Sequence, residues 1–492
     1  MELNIPDMLS DLLHEIGEIG GKHVYLVGGS VRDLILKRKT IDIDIVVEGD
    51  ALRIAQVLQN RWDGKLKTYP EFGTATVTRS DPILPKVDFA TARSETYHIP
   101  GTLPKVEPNT INADLLRRDF SINALAMCLD KDAFGSIIDK TGGLGDLRSG
   151  TIRVLHNKSY TDDPTRIFRA FRYAARYNFN IAETDIRLIQ KAIPQIRFLS
   201  GDRIRNEIEQ IFHEDCVSTI IQQLFEWNVL KTIIPGWFIS PTFSKDYRAS
   251  QNAISWASQN LSDIDFQTNI VQWMALFGLS NTWVMPKYLI EAICFRLVLD
   301  HQLRKIASIP SLTEQGPDSR KQIIKAFEKL DIPLSNKVSF DYQNGKWCIV
   351  DYENRVTYVY GDGNLCKVHT PLTTYRQLIQ VLRSLTNSTP SSKIYQLLKQ
   401  IPVEALTLGY LDTNKSALKR EIIEDYLINL RNKKPIVTGN DLIQWGEKPG
   451  KNFQTILWEL FAAQLDGKIS TKSEGYAHFS SIINHTNKQS KK

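Results

Sequence analysis

Asp42 and Asp44 stand two residues apart in the run Ile41-Asp42-Ile43-Asp44-Ile45-Val46-Val47. Side chains alternate faces along a strand, so this spacing predicts both carboxylates on one face. Adjacent carboxylates repel unless a cation lies between them. Hard oxygen ligands suit Mg²⁺, which takes carboxylates together with phosphate oxygens. Two such ions can activate an attacking hydroxyl and stabilise a leaving pyrophosphate. Upstream, Gly28-Gly29-Ser30-Val31-Arg32-Asp33 supplies a turn whose backbone N–H groups can approach a phosphate, with Arg32 adding charge. Asp88, in Val87-Asp88-Phe89, is a candidate third catalytic carboxylate. Taken singly, these features have plain readings. A lone D-x-D is usually a solvated strand edge, and a lone Gly-Gly is usually a turn. Ser30 reads as a helix cap rather than a nucleophile, because no histidine is placed to activate it. Their joint occurrence within residues 24–47 carries the chemical reading.

A second constellation is Asp162-Asp163-Pro164-Thr165-Arg166. Asp163 and Arg166, three apart, share a helix face. An acceptor beside a donor can read the edge of a base. Asp before Pro is equally a helix start, with Asp163 as N-cap and Pro164 in the first position. Asp162 could take the capping role instead. Arg169 and Arg172 continue a basic stripe from Arg166, either to bind triphosphate or to face solvent. Arg203 and Glu207, four apart, read as a helix ion pair or a ligand contact. Arg117 and Arg118 beside Asp114 and Asp119 read as a surface ion network or as ligand contacts.

The elements that must hold these residues follow from hydrophobic spacing. Residues 6–20 predict an amphipathic helix and Val24–Val27 a strand. A helix through Val31, Leu34 and Ile35, then a strand from Ile41 to Val47, complete the carboxylate unit. Residues 51–62 read as a helix, and Thr74–Thr78 and Lys86–Ala92 as strands. The alternation indicates an α/β domain. From Pro164 to Glu226 the apolar spacing becomes three and four, which is helical, and residues 250–335 continue in that style. Residues 338–362 are β-rich and end in the turn Gly361-Asp362-Gly363-Asn364. Helices return over 372–470, and the polar tail past Asn484 reads as disordered.

The chain has 492 residues, 42% hydrophobic, with a formal charge of +6 and a pI near 8.8. That size predicts about three or four domains. The charge permits a polyanionic partner without demanding one. The five cysteines, Cys128, Cys216, Cys294, Cys348 and Cys366, are scattered and form no C-x-x-C pair. A disulfide framework or zinc site is not expected. No basic patch precedes an apolar core at the N-terminus, and no apolar run nears about 18 residues. The expectation is a soluble cytoplasmic protein with no membrane segment.

Further blocks carry a resemblance. They are Phe72-Gly73-Thr74-Ala75-Thr76-Val77, Arg117-Arg118-Asp119-Phe120-Ser121-Ile122-Asn123-Ala124 and Asp139-Lys140-Thr141-Gly142-Gly143-Leu144-Gly145-Asp146-Leu147. Asp162 to Arg166 and Ser200-Gly201-Asp202-Arg203-Ile204-Arg205-Asn206-Glu207 follow in the same order. Together with the D-x-D unit they resemble the bacterial-type (class II) tRNA nucleotidyltransferase and poly(A) polymerase family of the DNA polymerase beta superfamily. The resemblance covers residues 20–235 strongly and fades over 240–430. It returns at Thr438-Gly439-Asn440-Asp441-Leu442, Pro449-Gly450 and Gln464-Leu465-Asp466-Gly467.

The resemblance implies an α/β nucleotidyltransferase head, a mixed β-sheet with helices, over 1–150. It implies a mostly α-helical remainder: a neck over 151–235, a body over 236–372 with the β-rich insert, and a tail over 373–484. A disordered basic end follows over 485–492. It implies that Asp42 and Asp44 hold catalytic Mg²⁺, and that Gly28, Gly29, Arg32, Arg118, Asp119 and Asn123 bind the nucleotide. Asp163 and Arg166 would pair with the base of incoming CTP or ATP in place of a template, with Arg169 and Arg172 beside them. The helical region would hold the tRNA acceptor arm through phosphate contacts. The leading expectation is CCA addition to tRNA from CTP and ATP. CC-only or A-only addition and poly(A) synthesis share these blocks. The Pro- and Gly-rich segment 94–108 is similar to loops in members that divide the tRNA work between two enzymes. Outside this class stand a catalytically inactive RNA-binding relative and a small-molecule nucleotidyltransferase, which filter binding to tRNA would separate.

Overall fold

The structure is a computed structural model that describes residues 5–38, 42–79, 86–96, 105–261, 267–277, 292–293, 297, 305–308, 338–343, 346–351, 356–361, 364–369, 378, 381–399, 401, 403–412, 417–450 and 452–489. It divides into two compact units, Met1–Pro235 and Gly236–Lys492. Among the described residues no helix is long and apolar enough to cross a membrane.

The first unit opens with helix α1 (Asp7–Gly20), strand β1 (Val24–Val27), helix α2 (Gly29–Ile35) and strand β2 (Ile43–Val47). Helix α3 (Ala51–Trp62) leads to strands β3 (Lys65–Tyr69), β4 (Thr74–Thr78) and β5 (Val87–Thr91). The hairpin β6 (Arg93–Thr96) and β7 (Lys105–Pro108), helix α4 (Ile111–Leu116) and strands β8 (Leu125–Cys128) and β9 (Ile137–Asp139) follow. Seven strands form one mixed sheet in the order β3-β4-β5-β2-β1-β8-β9. Only β2 and β5 pair in parallel within it.

Strand alternation sets the chemistry. Ile43 and Ile45 are buried on one face of β2, so Asp44 projects from the other. Cross-strand register puts Asp44 opposite Asp88, Asp88 opposite Thr76, and Thr76 opposite Lys67. The sheet therefore carries a polar row Asp44–Asp88–Thr76–Lys67 on that face. The strand expected from Ile41 starts at Ile43, so Asp42 sits just before it. The sequence reading did not anticipate β3, whose residues are largely exposed.

The glycine-rich block after β9 is built around one carboxylate. Asp139 Oδ1 accepts from the backbone N–H groups of Thr141, Gly142 and Gly143, and Oδ2 from Leu144. Gly142 adopts a left-handed conformation at φ 80°. A Cβ on Gly143 would lie 2.2 Å from the Ser121 carbonyl oxygen, so glycine lets helix α5 (Gly143–Ser149) close onto the Arg117–Ala124 block. Asp146 fixes the same junction by accepting from Ser121 Oγ and Arg153.

Strand β10 (Thr151–Ile152) and helix α6 (Ser159–Asp162) precede the central helix α7 (Thr165–Tyr177), and strand β11 (Asn180–Ile181) follows it and pairs with β10 in parallel. Ile167, Phe168, Ala170 and Phe171 are buried on α7, and Asn178 ends it in a left-handed conformation. Helices α8 (Glu183–Ala192), α9 (Gly201–Phe212), α10 (Val217–Glu226) and α11 (Val229–Ile233) complete the unit.

The second unit contains helices α12 (Phe243–Asn260) and α13 (Thr268–Leu276). It also holds a five-stranded antiparallel sheet of β12 (Lys305–Ser308), β13 (Val338–Gln343), β14 (Lys346–Asp351), β15 (Val356–Gly361) and β16 (Asn364–His369). The β-rich segment therefore continues past 362, and β12 is a strand inside a stretch expected to be helical. Its residues pair with β16, far along the chain. Helix α14 (Ser391–Leu398), helix α15 (Val403–Asp412), helix α16 (Ala417–Asp425), helix α17 (Gly439–Gln444), helix α18 (Phe453–Leu465) and helix α19 (Lys472–Gln489) follow. The block at Thr438–Leu442 forms a capping box, Thr438 with Asp441, that starts α17. The tail expected to be disordered from 485 remains helical to Gln489, and residues 490–492 lie outside the described residues.

Candidate active site

A cavity of about 610 Å³ in the first unit gathers residues from α2, the start of β2, the Arg117–Ala124 block, α7 and α9. Gly28, Gly29 and Arg32 line it, as do Asp42 and Asp44. Arg118, Asp119 and Asn123 form another wall, and Asp163, Arg166, Arg169 and Arg172 a third. Among the described residues, nine arginines and six carboxylates border the space. That excess of guanidinium suits a triphosphate, which arginine grips through paired N–H donors.

Ser30 organises the carboxylate end. Its hydroxyl donates to the Asp42 carbonyl at 2.8 Å and accepts from the Asp44 N–H at 3.3 Å. It is a clasp between α2 and the Asp42–Asp44 segment, not the helix cap the sequence suggested. Asp44 is held above the usual carboxylate range, first by burial and then by repulsion from Asp88 and Asp42, with Arg118 opposing. Such repulsion is what a bound cation would relieve. Asp88 accepts from Thr76 Oγ1 at 2.5 Å and Lys86 Nζ at 3.0 Å. It lines a second cavity with Asp44 rather than the first.

Among the described residues no three His, Cys, Asp or Glu side chains cluster closely enough to cage an ion by themselves. Asp42 and Asp44 nevertheless fit Mg²⁺, which completes its shell with water and substrate phosphates.

The arginine wall is rigidly braced. Arg32 makes two bonds to Asp33, at 2.9 and 3.0 Å, and donates to Asn123 Oδ1. Its guanidinium lies 4.6 Å from the Tyr177 ring centroid. Asp119 accepts from Asn123 Nδ2, the Phe120 N–H and Arg169. Burial pushes its carboxyl up, but Arg169, Asn123 and Arg166 outweigh that and leave it at about 2. Arg166, Arg169, Arg172 and Arg176 follow each other by three, three and four residues, so α7 presents them to the cavity together. Tyr173 stands within 6 Å of the guanidinium of Arg32, Arg169, Arg172 and Arg176.

Asp163 takes an ion-pair partner that its local sequence does not announce. Its Oδ1 accepts from Thr165 N–H and Oγ1, at 3.1 and 2.7 Å, which starts α7. The same oxygen accepts from Arg203 NH2 at 2.7 Å. Arg166 is buried and donates to Ser159 Oγ and to the Arg117 carbonyl. Both Asp163 and Arg166 line the cavity, but the ion pair is Asp163–Arg203. Of the two readings offered by the Arg203–Glu207 spacing, a helix ion pair or a ligand contact, Arg203 lines the cavity and pairs with Asp163. Glu207 lies 4.0 Å from Arg172.

Glu95, Tyr173, Arg176 and Gln210 line the cavity without having been singled out from sequence. Glu95 pairs with Arg93 and Arg117 at the base of the β6–β7 hairpin. Residues 97–104 of the loop read there lie outside the described residues. Asp114 is fully buried and holds Arg117 through Oδ1 and Arg118 through Oδ2. The network expected on the surface is thus internal. Its D-x-x-R-R spacing was the available signal. Arg203 reaches Asp163 from 40 residues away, and no local pattern announces that.

The resemblance can be set beside known proteins. Residues 24–153 match the poly(A) polymerase head domain, and residues 178–238 match a family described as the probable RNA and SrmB-binding site of polymerase A. An A-adding tRNA nucleotidyltransferase of Geobacter sulfurreducens is 29% identical over 96% of this chain and 47% of its own length. The chain thus spans about half of that relative. An A-adding tRNA nucleotidyltransferase of Halalkalibacterium halodurans is 28% identical over 96% of this chain and 92% of its own. A solved CCA-adding enzyme is 26% identical, with a TM-score of 0.64 over 97% of this chain and 96% of that one.

Proposed function

We propose that the chain, similar to bacterial-type tRNA nucleotidyltransferases and poly(A) polymerases, is a member of that family and extends the 3′ end of tRNA without a template. The observation that carries this reading is the single cavity joining Asp42 and Asp44 to the arginine wall and to Asp163. In the proposed reaction the terminal 3′-hydroxyl attacks the α-phosphorus of a nucleoside triphosphate. A new P–O bond forms, the α–β P–O bond breaks, pyrophosphate leaves with the bonding pair, and the hydroxyl gives up its proton. Bound Mg²⁺, held by Asp42 and Asp44, would supply charge neutralisation at the phosphates. Arg118, Arg169 and Arg172 bind the triphosphate. Arg32 and Asn123, locked to each other and to Asp33 and Asp119, keep the sugar end in place. Asp163 and Arg203 present an acceptor and a donor to the base, and Arg166 anchors α7 behind them.

The finer activity we propose is addition of the terminal AMP, because both relatives matched over nearly all of this chain carry the A-adding name. The Pro- and Gly-rich 94–108 segment favours the same reading. Complete CCA addition is the second reading, favoured by the likeness to a CCA-adding enzyme. The test offers purified protein, Mg²⁺ and CTP, ATP or both to tRNAs ending before the first C, after CC, or at CCA. A single A on the CC-ended tRNA supports the proposal. CC followed by A on the shortest tRNA establishes the second reading, and no product on any tRNA overturns both.

A further inference from the structure

We propose that the second cavity, on the Asp88 side of the carboxylates, receives the 3′-terminal nucleotide of the acceptor RNA, with its base stacked on Tyr69. This rests on the transfer reading above and assigns residues to its other substrate.

The cavity has a volume of about 370 Å³ and opens over the sheet face that bears the carboxylates. Two cross-strand rows form its floor. One is Asp44–Asp88–Thr76, continued on β3 by Lys67 outside the lining, and the next, two residues along each strand, is Val46–Ala90–Thr74–Tyr69. At about 4.8 Å per strand, Tyr69 stands roughly 14 Å across the sheet from the β2 residues. Asp44, Arg117 and Arg118 line both cavities. In-line displacement requires the attacking oxygen and the leaving pyrophosphate on opposite sides of the α-phosphorus. With the triphosphate against the arginine wall, the attacker must arrive from the Asp88 side, where this space lies.

Its chemistry suits one nucleotide of a single strand. Tyr69 is 43% exposed on edge strand β3, although large aromatics usually seek burial. Lys67 Nζ lies 5.1 Å from the Tyr69 ring centroid, which sets a cation beside a stacking surface. Aromatic platforms next to basic side chains are how proteins hold single-stranded RNA regardless of sequence. Thr74 lines the cavity and offers a hydroxyl for the sugar.

The test uses the full chain, CC-ended tRNA, ATP and Mg²⁺. Tyr69→Ala is expected to raise KM for tRNA by about 5- to 150-fold, the worth of one stacked base, with KM for ATP unchanged. Tyr69→Trp restores the tRNA KM, and Lys67→Ala raises it to a smaller extent. The second readout needs no turnover. A tRNA carrying 2-aminopurine as its 3′-terminal base is quenched on binding the wild type with Mg²⁺ alone, and the quench disappears in Tyr69→Ala. An unchanged tRNA KM in Tyr69→Ala, a parallel rise in KM for ATP, or a retained quench would overturn the assignment. A wild type that quenches the probe but transfers no nucleotide would sink the transfer reading and leave this assignment standing.

Discussion

Replacing Asp119 by asparagine tests whether the arginine wall is held by charge. Asp119 is buried, and Arg169 reaches its Oδ2 at 2.6 and 2.7 Å. Its carboxyl stands at about 2, against an ordinary 3.8. At 1.36 kcal/mol per pH unit, that difference contributes about 2 kcal/mol to folding at neutral pH. The folded-state value lies below the unfolded one. The contribution is therefore complete above about pH 5 and fades as the pH falls towards 2. An asparagine at this position carries no charge, so the variant loses this contribution at every pH. We expect Asp119→Asn to be less stable by about 2 kcal/mol at pH 7, a fall in Tm of roughly 4–8 °C for a unit of this size. Urea unfolding of both proteins, repeated between pH 7 and pH 2.5, measures the gap. It should narrow to about a third of its neutral-pH size by pH 2.5. A gap that is absent at pH 7, or that stays constant down to pH 2.5, would refute the electrostatic account.

Other outcomes follow from the same site. Gly28→Ala would force a side chain to φ 69°, with its Cβ 2.6 Å from Arg118 NH1. Denaturant titration should show a loss of about 1–3 kcal/mol, together with a higher KM for ATP. Gly145→Ala, whose Cβ would meet nothing within 4 Å, is the neutral control. Arg203→Ala should lower discrimination among ATP, CTP, GTP and UTP by about tenfold, the worth of one base-edge contact. Unchanged nucleotide choice would leave Asp163 only its role at the start of α7. Chelation of divalent cations should abolish incorporation and added Mg²⁺ should restore it, whereas transfer in excess chelator would remove the metal from the mechanism.

The parts of the site that sequence reveals are those whose geometry is local. A D-x-D on a strand, a Gly-Gly before a helix and arginines at helical spacing all fix relative positions over a few residues, and all of them reach the same cavity. Pairings set by tertiary structure were hidden. Asp163 was matched to Arg166 because they share a turn, yet α9 delivers Arg203 to the same oxygen. Ser30 looked like a cap because it precedes a helical run. The return of the chain through Asp42 and Asp44 gives its hydroxyl partners that no local rule anticipates. The α/β character of the head was legible from strand and helix alternation, and its mixed sheet was implied by the resemblance. Strand β3 was not, because Lys65–Tyr69 lacks a buried face. Strand β12 spans only Lys305–Ser308, and its partner β16 lies well downstream in the sequence.

The central claim is that Asp42 and Asp44 together hold the cation on which nucleotidyl transfer depends. Single-turnover incorporation into CC-ended tRNA, measured beside equilibrium tRNA binding in Asp44→Asn, tests it most directly. The account predicts a fall in rate of about a thousandfold or more, the several kcal/mol a metal supplies, with tRNA affinity unchanged. Incorporation at the wild-type rate would contradict it.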